Sequence, residues 1–156
     1  MTPAVNILKK QKQTYELLQY EHEAGAESYA SEAAEKLNLP VQAVFKTLLV
    51  ELDTDELVVA LLPADSKLSM KKLAKACGVK KAKMADAQKV QKVTGYVLGG
   101  VSPFGQKRRL NTIIDSSAQN QSRIFVSGGR RGLEIAVTAQ VIERLLNASF
   151  IDLKAL

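Results

Sequence analysis

A glycine-rich stretch in the middle of the chain is the segment best suited to hold a ligand. From Gly95 to Arg109 it carries four glycines, a proline and a basic end, Lys107-Arg108-Arg109. Glycine adopts backbone angles closed to other residues, while Pro103 fixes its own φ and keeps Ser102 extended. Such a loop can direct main-chain N–H groups at a carbonyl or a phosphate, and we interpret it as a substrate-binding loop. The alternative is a tight connection between strands with a solvated basic end.

Lys46 is the second candidate, because it stands within an apolar strand. Alternation along this strand places Lys46 with Leu48 and Val50 on one face, so its ammonium group is predicted at the rim of an apolar surface. In the functional interpretation it is a cation at the mouth of a pocket and holds a phosphate or a polarised carbonyl. The alternative is a lysine that reaches solvent from a strand end or guards a sheet edge.

Chemistry based on a protein nucleophile or a metal has little support. The single cysteine, Cys77, is predicted to be a small buried residue at a helix end, and the single histidine, His22, stands in a polar loop where a solvated side chain is expected. One Cys and one His cannot build a zinc site of several such ligands within one chain. A carboxylate-only metal site stays open, but nothing points to one. Neither glycine-rich segment has nucleotide-fingerprint spacing, and we expect no cofactor and no metal.

The positive charge is concentrated in one part of the chain. The formal net charge is +6, yet residues 1–65 hold five Lys/Arg against eleven Asp/Glu, whereas residues 66–109 hold twelve Lys/Arg against Asp86 alone. This asymmetry favours a nucleic-acid partner over a membrane, the alternative being a solvated lysine surface. No apolar stretch approaches the roughly 20 residues of a membrane span, and the N-terminus lacks a signal-peptide pattern. We therefore expect a cytoplasmic protein that does not bind membranes.

Local patterns predict a mixture of short helices and strands. The clearest is a hairpin, in which Asp53-Thr54-Asp55 separates two apolar runs. The predicted helices span 3–12, a segment capped by Ser28 or Ser31 that runs through 37, then 70–76, 86–93 and 138–146. The predicted strands span 15–20, 45–52, 56–62, 110–114, 123–126, 133–137 and 150–153. This order predicts one domain over residues 1–156, of the α/β class and α+β type. Its mixed, mostly antiparallel sheet is expected to curl into a partial barrel with helices packed outside.

Four separated motifs together resemble a known family. They are Thr2-Pro3-Ala4, Phe45-Lys46-Thr47-Leu48-Leu49-Val50, the loop from Thr94 to Lys107, and Val126-Ser127-Gly128-Gly129-Arg130-Arg131-Gly132-Leu133. In this order they closely resemble the YbaK family of bacterial Cys-tRNA(Pro) deacylases, free-standing relatives of the editing domain of prolyl-tRNA synthetase. The resemblance covers nearly the whole chain. Several motifs at consistent spacing are more specific than one glycine loop, so the resemblance favours the substrate-loop interpretation.

The resemblance implies a substrate, a partner and a set of site residues. The substrate is mischarged Cys-tRNA(Pro), which arises because prolyl-tRNA synthetase cannot fully exclude cysteine by size, and the synthetase is the implied partner. Lys46 matches the family's essential lysine, expected to fix the 3′ end of the tRNA and the aminoacyl group. The loop whose main-chain amides hold the ester carbonyl is matched by Gly99, Gly100, Val101, Ser102 and Pro103. The implied pocket residues are Tyr20, Tyr29, Thr47, Ser127, Gly128 and Glu134.

The chain departs from the family pattern at a few pocket positions. Tyr29 stands where phenylalanine is usual, Glu134 where aspartate is usual, and Ala30-Ser31 where Gly-Asp is expected. The lysine and the glycine loop are unaltered.

The resemblance also implies a mechanism that fits the scarcity of nucleophiles. In this family the substrate cysteine is thought to attack its own ester carbonyl, so the protein only bends the substrate and stabilises the oxyanion. Two alternatives stay open. One is a deacylase of the same fold with another preference, such as Ala-tRNA(Pro). The other is a non-catalytic module that binds tRNA or the synthetase through residues 66–109.

Overall fold

The structure is a computed structural model that describes residues 1–24 and 29–156. The helices are α1 (Pro3–Lys10), α2 (Tyr29–Lys36), α3 (Met70–Ala76), α4 (Ala87–Thr94) and α5 (Ala139–Leu146). The strands are β1 (Glu16–Gln19), β2 (Phe45–Leu52), β3 (Leu57–Pro63), β4 (Ala82–Met84), β5 (Asn111–Asp115), β6 (Ile124–Ser127), β7 (Leu133–Val137) and β8 (Ser149–Ile151). None of these helices is long and apolar enough to cross a membrane.

The strands described form two sheets. The smaller is antiparallel with the order β1-β7-β6, and the larger has the order β4-β2-β3-β5-β8. In the larger sheet β2 pairs antiparallel with β3 and β4, whereas β5 pairs parallel with β3 and β8. A parallel bridge between Val44 and Phe125 links the sheets. The predicted class, a mixed and mostly antiparallel α/β domain, is confirmed, but the two sheets do not close into a barrel.

Local capping signals explain where several helices begin and end. Ser69, Asp86 and Thr138 each accept a hydrogen bond from the main-chain N–H three residues further on, at 3.1, 2.8 and 3.4 Å. Such side-chain oxygens satisfy N–H groups that have no partner within the first turn. At its C-terminal end α4 stops at Gly95, whose φ of +81° is readily available to glycine.

The main core draws residues from both sheets and is closed by α1, α5 and the glycine-rich loop. Phe45 and Leu49 of β2 belong to it, as do Tyr96 and Phe104 of the loop. The Tyr96 hydroxyl donates to the Phe104 carbonyl at 2.6 Å, which ties the two ends of the loop together inside the core. The opposite face of β2 packs against α3, where Val50 and Leu73 meet in a second apolar cluster. The alternation predicted along β2 is thereby confirmed.

Most predicted elements are present, and the differences have local causes. The hairpin turn is confirmed, with Asp55 at a φ of +70°. The three-residue strand β4 was not predicted, because it is too short to show alternation and forms only by pairing with the end of β2. The prediction that Ser31 caps α2 is wrong, since the helix begins at Tyr29 and Ser31 lies inside it. Ser28, the other predicted cap, lies outside the described residues.

Candidate functional site

A cavity of about 360 Å³ opens between the two sheets beside the glycine-rich loop, and we call it the first cavity. Its size is in the range of small-ligand sites. Eight of the residues predicted for the site line it: Tyr20, Tyr29, Lys46, Thr47, Gly99, Val101, Ser127 and Glu134. They come from distant parts of the chain, so the tertiary fold is what makes them neighbours. The other predicted site residues, Gly100, Ser102, Pro103 and Gly128, do not line this cavity.

Lys46 projects from β2 and is half-buried at the cavity. Its Nζ donates to the Ser66 carbonyl at 2.7 Å. Burial lowers the pKa of Lys46 below its ordinary value, while the charge of Asp65 acts in the opposite direction. An ammonium group has three N–H donors, so this one can still donate to a ligand in the cavity. The side chain is therefore not turned out to bulk water, as it would be if it only guarded a sheet edge.

β2 presents part of one edge to the first cavity. β3 covers one edge of β2 from Phe45 to Glu51, but β4 pairs with the other edge only at Val50–Leu52. At Lys46–Leu48, that second edge has no strand partner among the residues described. Thr47 Oγ1 is buried there and has no hydrogen-bond partner among the residues that the structure describes. Buried polar groups are normally hydrogen-bonded, so this hydroxyl is available to a ligand.

Glu134 faces the cavity from β7, the central strand of the smaller sheet. It is 6% exposed, and within residues 1–24 and 29–156 its carboxyl group accepts no hydrogen bond. Burial raises the pKa of Glu134 to about 8, so the carboxyl group is mostly protonated at neutral pH. Burial and the nearby Glu134 also raise the pKa of the Tyr20 hydroxyl to about 12. The cavity thus offers neutral groups that can donate or accept a hydrogen bond.

The glycine-rich loop packs so closely that side chains would collide at two of its positions. Gly99 has a φ of +86°, and a Cβ there would lie 2.5 Å from the ring of Tyr29 and 2.8 Å from Arg131. A Cβ on Gly100 would lie 2.9 Å from Cα of Arg130. The loop therefore needs glycine for conformation and for contact with the turn between β6 and β7.

Main-chain N–H groups of the loop are the second kind of donor at the cavity. The Gly100 N–H donates to the Val97 carbonyl at 2.9 Å. The N–H groups of Gly99 and Val101 form no hydrogen bond with the part of the chain that is described. Since both residues line the cavity, their N–H groups are candidates for holding a carbonyl oxygen on which negative charge develops.

Ser102 and Pro103 lie on the core side of the loop. Ser102 is fully buried, its Oγ accepts from the Phe104 N–H at 3.2 Å, and its carbonyl accepts from Gln106 Nε2 at 3.0 Å. Pro103 lines a different cavity, described below. These contacts fix the shape of the loop and do not face a ligand in the first cavity.

Gly128 connects the second glycine-rich turn to the N-terminus. Its carbonyl accepts from the Thr2 hydroxyl at 2.5 Å, and its N–H donates to the Leu133 carbonyl at 2.8 Å. A Cβ on Gly128 would lie 2.5 Å from the Leu133 side chain. The first and the last of the four sequence motifs are thus in direct contact, and together they hold Ser127 at the cavity.

The two arginines of this turn are site residues that the sequence indicated only as surface charge. Arg130 lines the first cavity. Arg131 donates from Nε and Nη2 to the Leu98 carbonyl at 3.2 and 2.9 Å, and its guanidinium lies 4.6 Å from the centre of the Tyr29 ring. Arg131 therefore fixes the glycine loop and Tyr29 relative to each other. The Arg-Arg pair between glycines was the available signal, but it could not show which arginine lines the cavity and which contacts the loop.

His22 and Cys77 stand apart from this chemistry. Neither lines the first cavity. The expectation of a solvated His22 is wrong, because its Nδ1 lies 2.6 Å from Oε1 of the buried Glu32. Cys77 is partly buried and packs against the cluster beneath α3.

Comparison with known proteins identifies the family. The profile of the aminoacyl-tRNA editing domain family matches residues 23–145. The chain belongs to this family. Enterococcus faecalis EbsC, which carries the provisional name Cys-tRNA(Pro)/Cys-tRNA(Cys) deacylase, is 35% identical over 153 residues, 97% of this chain and 92% of that protein.

More distant relatives place the same domain in a larger protein and in a solved structure. A proline--tRNA ligase of Brachyspira hyodysenteriae is 25% identical over 123 residues, 69% of this chain and 21% of the ligase. The crystal structure of a protein provisionally described as a trans-editing enzyme for prolyl tRNA synthetase superposes with a TM-score of 0.84 at 20% identity, and the match covers 99% of this chain and 98% of that one. The structural likeness agrees with the editing-domain fold.

Proposed function

We propose that this protein deacylates mischarged aminoacyl-tRNA and that Cys-tRNA(Pro) is its substrate. The observation that carries the proposal is that Lys46 lines the same cavity as Gly99 and Val101, whose N–H groups have no hydrogen-bond partner among the described residues. A cation and two N–H donors around a space of about 360 Å³ suit an amino acid esterified to the end of an RNA chain. Membership of the editing-domain family and the name of the E. faecalis relative support the same substrate class.

In this proposal the ester is held at two points. Lys46 donates to oxygen atoms of the terminal nucleotide, and the N–H groups of Gly99 and Val101 donate to the ester carbonyl. Donors that are already in place stabilise the oxyanion as it forms, because they need no reorganisation during the reaction. Thr47 and the protonated Glu134 remain for the substrate's amino group and side chain.

The substrate supplies the nucleophile. The thiol of the esterified cysteine loses its proton, and its sulfur attacks the ester carbonyl carbon within the same aminoacyl group. The new C–S bond closes a cyclic thioester, the C–O bond to the ribose breaks, and the released ribose oxygen takes a proton. Water then opens the cyclic thioester to free cysteine. A thiol of pKa near 8.5 supplies some thiolate at neutral pH and serine's alcohol supplies essentially none, so the reaction selects cysteine by its chemistry.

Deacylation of charged tRNA by Lys46→Ala tests this proposal. We expect a loss of kcat/KM of about 100-fold or more on Cys-tRNA(Pro), because one pre-placed electrostatic contact is typically worth that much. Lys10→Ala, which removes an exposed lysine that lies outside residues 66–109 and does not line the first cavity, is the matched control and is expected to keep full activity. Full activity in Lys46→Ala would contradict the proposed role.

A panel of substrates separates the alternatives. The wild-type protein is incubated with Cys-, Ala- and Ser-charged tRNA(Pro), and release of the amino acid is measured. Preferential release of cysteine supports the internal-thiol mechanism, whereas preferential release of alanine supports a deacylase with another preference. Salt-sensitive tRNA binding without release from any charged tRNA supports a non-catalytic binding module.

We further propose that residues 1–156 act as one editing domain in the cytoplasm, together with prolyl-tRNA synthetase. The similarity to a segment of a proline--tRNA ligase supports this pairing, because a domain of that type can serve the same tRNA. Addition of the synthetase to the deacylation assay is expected to increase the rate on tRNA(Pro) relative to other tRNAs. An unchanged preference would argue against the partnership.

A further inference from the structure

A second cavity, also of about 360 Å³, lies on the other side of the glycine-rich loop. Its walls are formed by α1, by the end of α5 and by the segment from Pro103 to Leu110. Ile7, Phe104 and Leu146 give it an apolar floor. The aminoacyl-ester chemistry proposed for the first cavity leaves this space unused.

Two arginines, Arg109 and Arg144, give the second cavity its charge. Among the residues that the structure describes, no carboxylate lines it. Arg144 Nη1 donates to Gln13 Oε1 at 2.6 Å, and Arg109 Nη2 lies 3.4 Å from the Leu145 carbonyl. Each guanidinium has five N–H donors, so most of them remain available to a ligand. Neither arginine forms an ion pair with the residues that are described.

Among the residues described, only five Lys/Arg side chains form ion pairs, so what sets Arg109 and Arg144 apart is that both line one concave site. Arg123 pairs with Glu16 at 2.8 Å, and Lys72 pairs with Asp152 at 2.8 Å. Two unpaired guanidinium groups at one concave site indicate an anionic ligand, and the planar fork of arginine suits phosphate oxygens in particular.

The two cavities are lined by neighbouring residues of the glycine-rich loop. Val101 lines the first cavity and Pro103 lines the second, and two residues of extended chain span at most about 7 Å. A ligand that occupies the first cavity and continues as a chain of phosphates therefore has phosphate groups within reach of the second.

We propose that the second cavity binds a backbone phosphate of the same RNA whose 3′ end enters the first cavity, with Arg109 and Arg144 as its ligands. This inference rests on the proposed function, since it takes tRNA as the substrate. In this arrangement the glycine-rich loop lies between the reacting ester in the first cavity and the RNA backbone at the second.

Binding of uncharged tRNA(Pro) to the double variant Arg109→Ala/Arg144→Ala tests the inference. We expect the Kd to rise about tenfold, and the slope of log K against log salt, measured from about 50 to about 200 mM, to decrease in magnitude by about 0.8, because one phosphate contact is removed. The matched control, Lys71→Ala/Lys75→Ala, removes the same charge from exposed positions of α3 and is expected to raise Kd by a smaller factor, because these lysines belong to the basic region 66–109 but line neither cavity. In deacylation, the arginine variant is expected to show a raised KM with kcat retained.

Equal losses in the two double variants, or no loss in the arginine variant, would overturn the inference. Arg109→Gln/Arg144→Gln keeps a hydrogen-bonding group at both positions and replaces the alanine variant if thermal unfolding shows that the latter is poorly folded. Inorganic phosphate and AMP are titrated separately. If either binds and loses affinity in the arginine variant while tRNA affinity is unchanged, the site belongs to a free phosphate compound and the inference fails. Uncharged tRNA carries no ester, so its binding does not depend on hydrolysis. The binding assay can therefore fail or succeed independently of the proposed reaction.

Discussion

Glu134 and Asp115 are both buried carboxyl groups, but they lie in different surroundings. Asp115, 1% exposed at the end of β5, accepts hydrogen bonds from the Leu153 N–H at 2.9 Å and from the N–H and hydroxyl of Ser117 at 3.2 and 2.5 Å. Glu134, 6% exposed at the first cavity, accepts none from the described residues, and burial raises its pKa to about 8. The carboxyl group in the core is hydrogen-bonded, whereas the carboxyl group at the cavity has no hydrogen-bond partner among the described residues.

Two threonines repeat this difference. Thr94, 2% exposed, donates to the Val90 carbonyl at 2.7 Å and accepts from the Tyr96 N–H at 3.1 Å. Thr47 Oγ1, at the cavity, is buried without a partner in residues 1–24 and 29–156. An unsatisfied buried polar group costs free energy, and a ligand that forms a hydrogen bond with it recovers that cost. The contrast therefore separates polar groups that stabilise the fold from polar groups that can bind a substrate.

The largest effect is expected from Glu134, through the dependence of stability on pH. The folded protein holds this proton more tightly than the unfolded chain, so the stabilisation is complete below about pH 4.5 and is lost as pH rises to about 8. Within that window this group makes the free energy of unfolding fall by about 1.4 kcal/mol per pH unit. Glu134→Gln should therefore show a flatter profile in urea unfolding from about pH 5 to about pH 8.

Asp115→Asn is the control for that experiment. It weakens an acceptor used by the main chain and is expected to lower the free energy of unfolding by about 2 kcal/mol at pH 7. If the free energy of unfolding depends on pH in the same way for the wild type and Glu134→Gln, the cavity does not hold a neutral acid. The proposed difference between Glu134 and Asp115 would then be wrong.

A smaller effect is expected from alanine at Gly99. The new Cβ would overlap the Tyr29 ring at 2.5 Å, and we expect the shifted loop to lose about 100-fold in deacylation rate, because small misplacements of reacting groups have effects of this order. Gly78→Ala introduces a similar strain, at a φ of +70°, with no atom within 4 Å of the new Cβ. It should destabilise the fold by about 1 kcal/mol and leave the rate unchanged. Equal rates in the two variants would mean that the loop does not position the ester.

The smallest effect is expected from valine at the two threonines. Thr94→Val removes two hydrogen bonds within the core and is expected to lower the free energy of unfolding by about 2 kcal/mol. Thr47→Val removes a buried hydroxyl that has no hydrogen-bond partner among the described residues, so it should raise the free energy of unfolding by about 1 kcal/mol while raising KM. Chemical denaturation and steady-state kinetics on both variants check the pair, and a large loss of stability in Thr47→Val would contradict the difference between core and cavity.

Parts of the candidate site could be predicted from sequence because they depend on local motifs. Lys46 and Gly99 were identified in this way and Thr47 through the family resemblance, and all three line one cavity, although their roles remain proposals. The position of Arg130 at the cavity and the contact of Arg131 with the Leu98 carbonyl could not be predicted. Those contacts join segments more than thirty residues apart, and nothing in the local pattern specifies them.

The sequence by itself determined the helices with strong caps, the hairpin at Asp53-Thr54-Asp55, the alternation along β2 and the family, since each depends on neighbouring residues or on motif order. Tertiary structure decided the pairing of β4, the open edge of β2, the raised pKa of Glu134 and the second cavity. The physical reason is that a capping bond or a turn is formed within a few residues, whereas burial, desolvation and cavity shape depend on which distant segments meet.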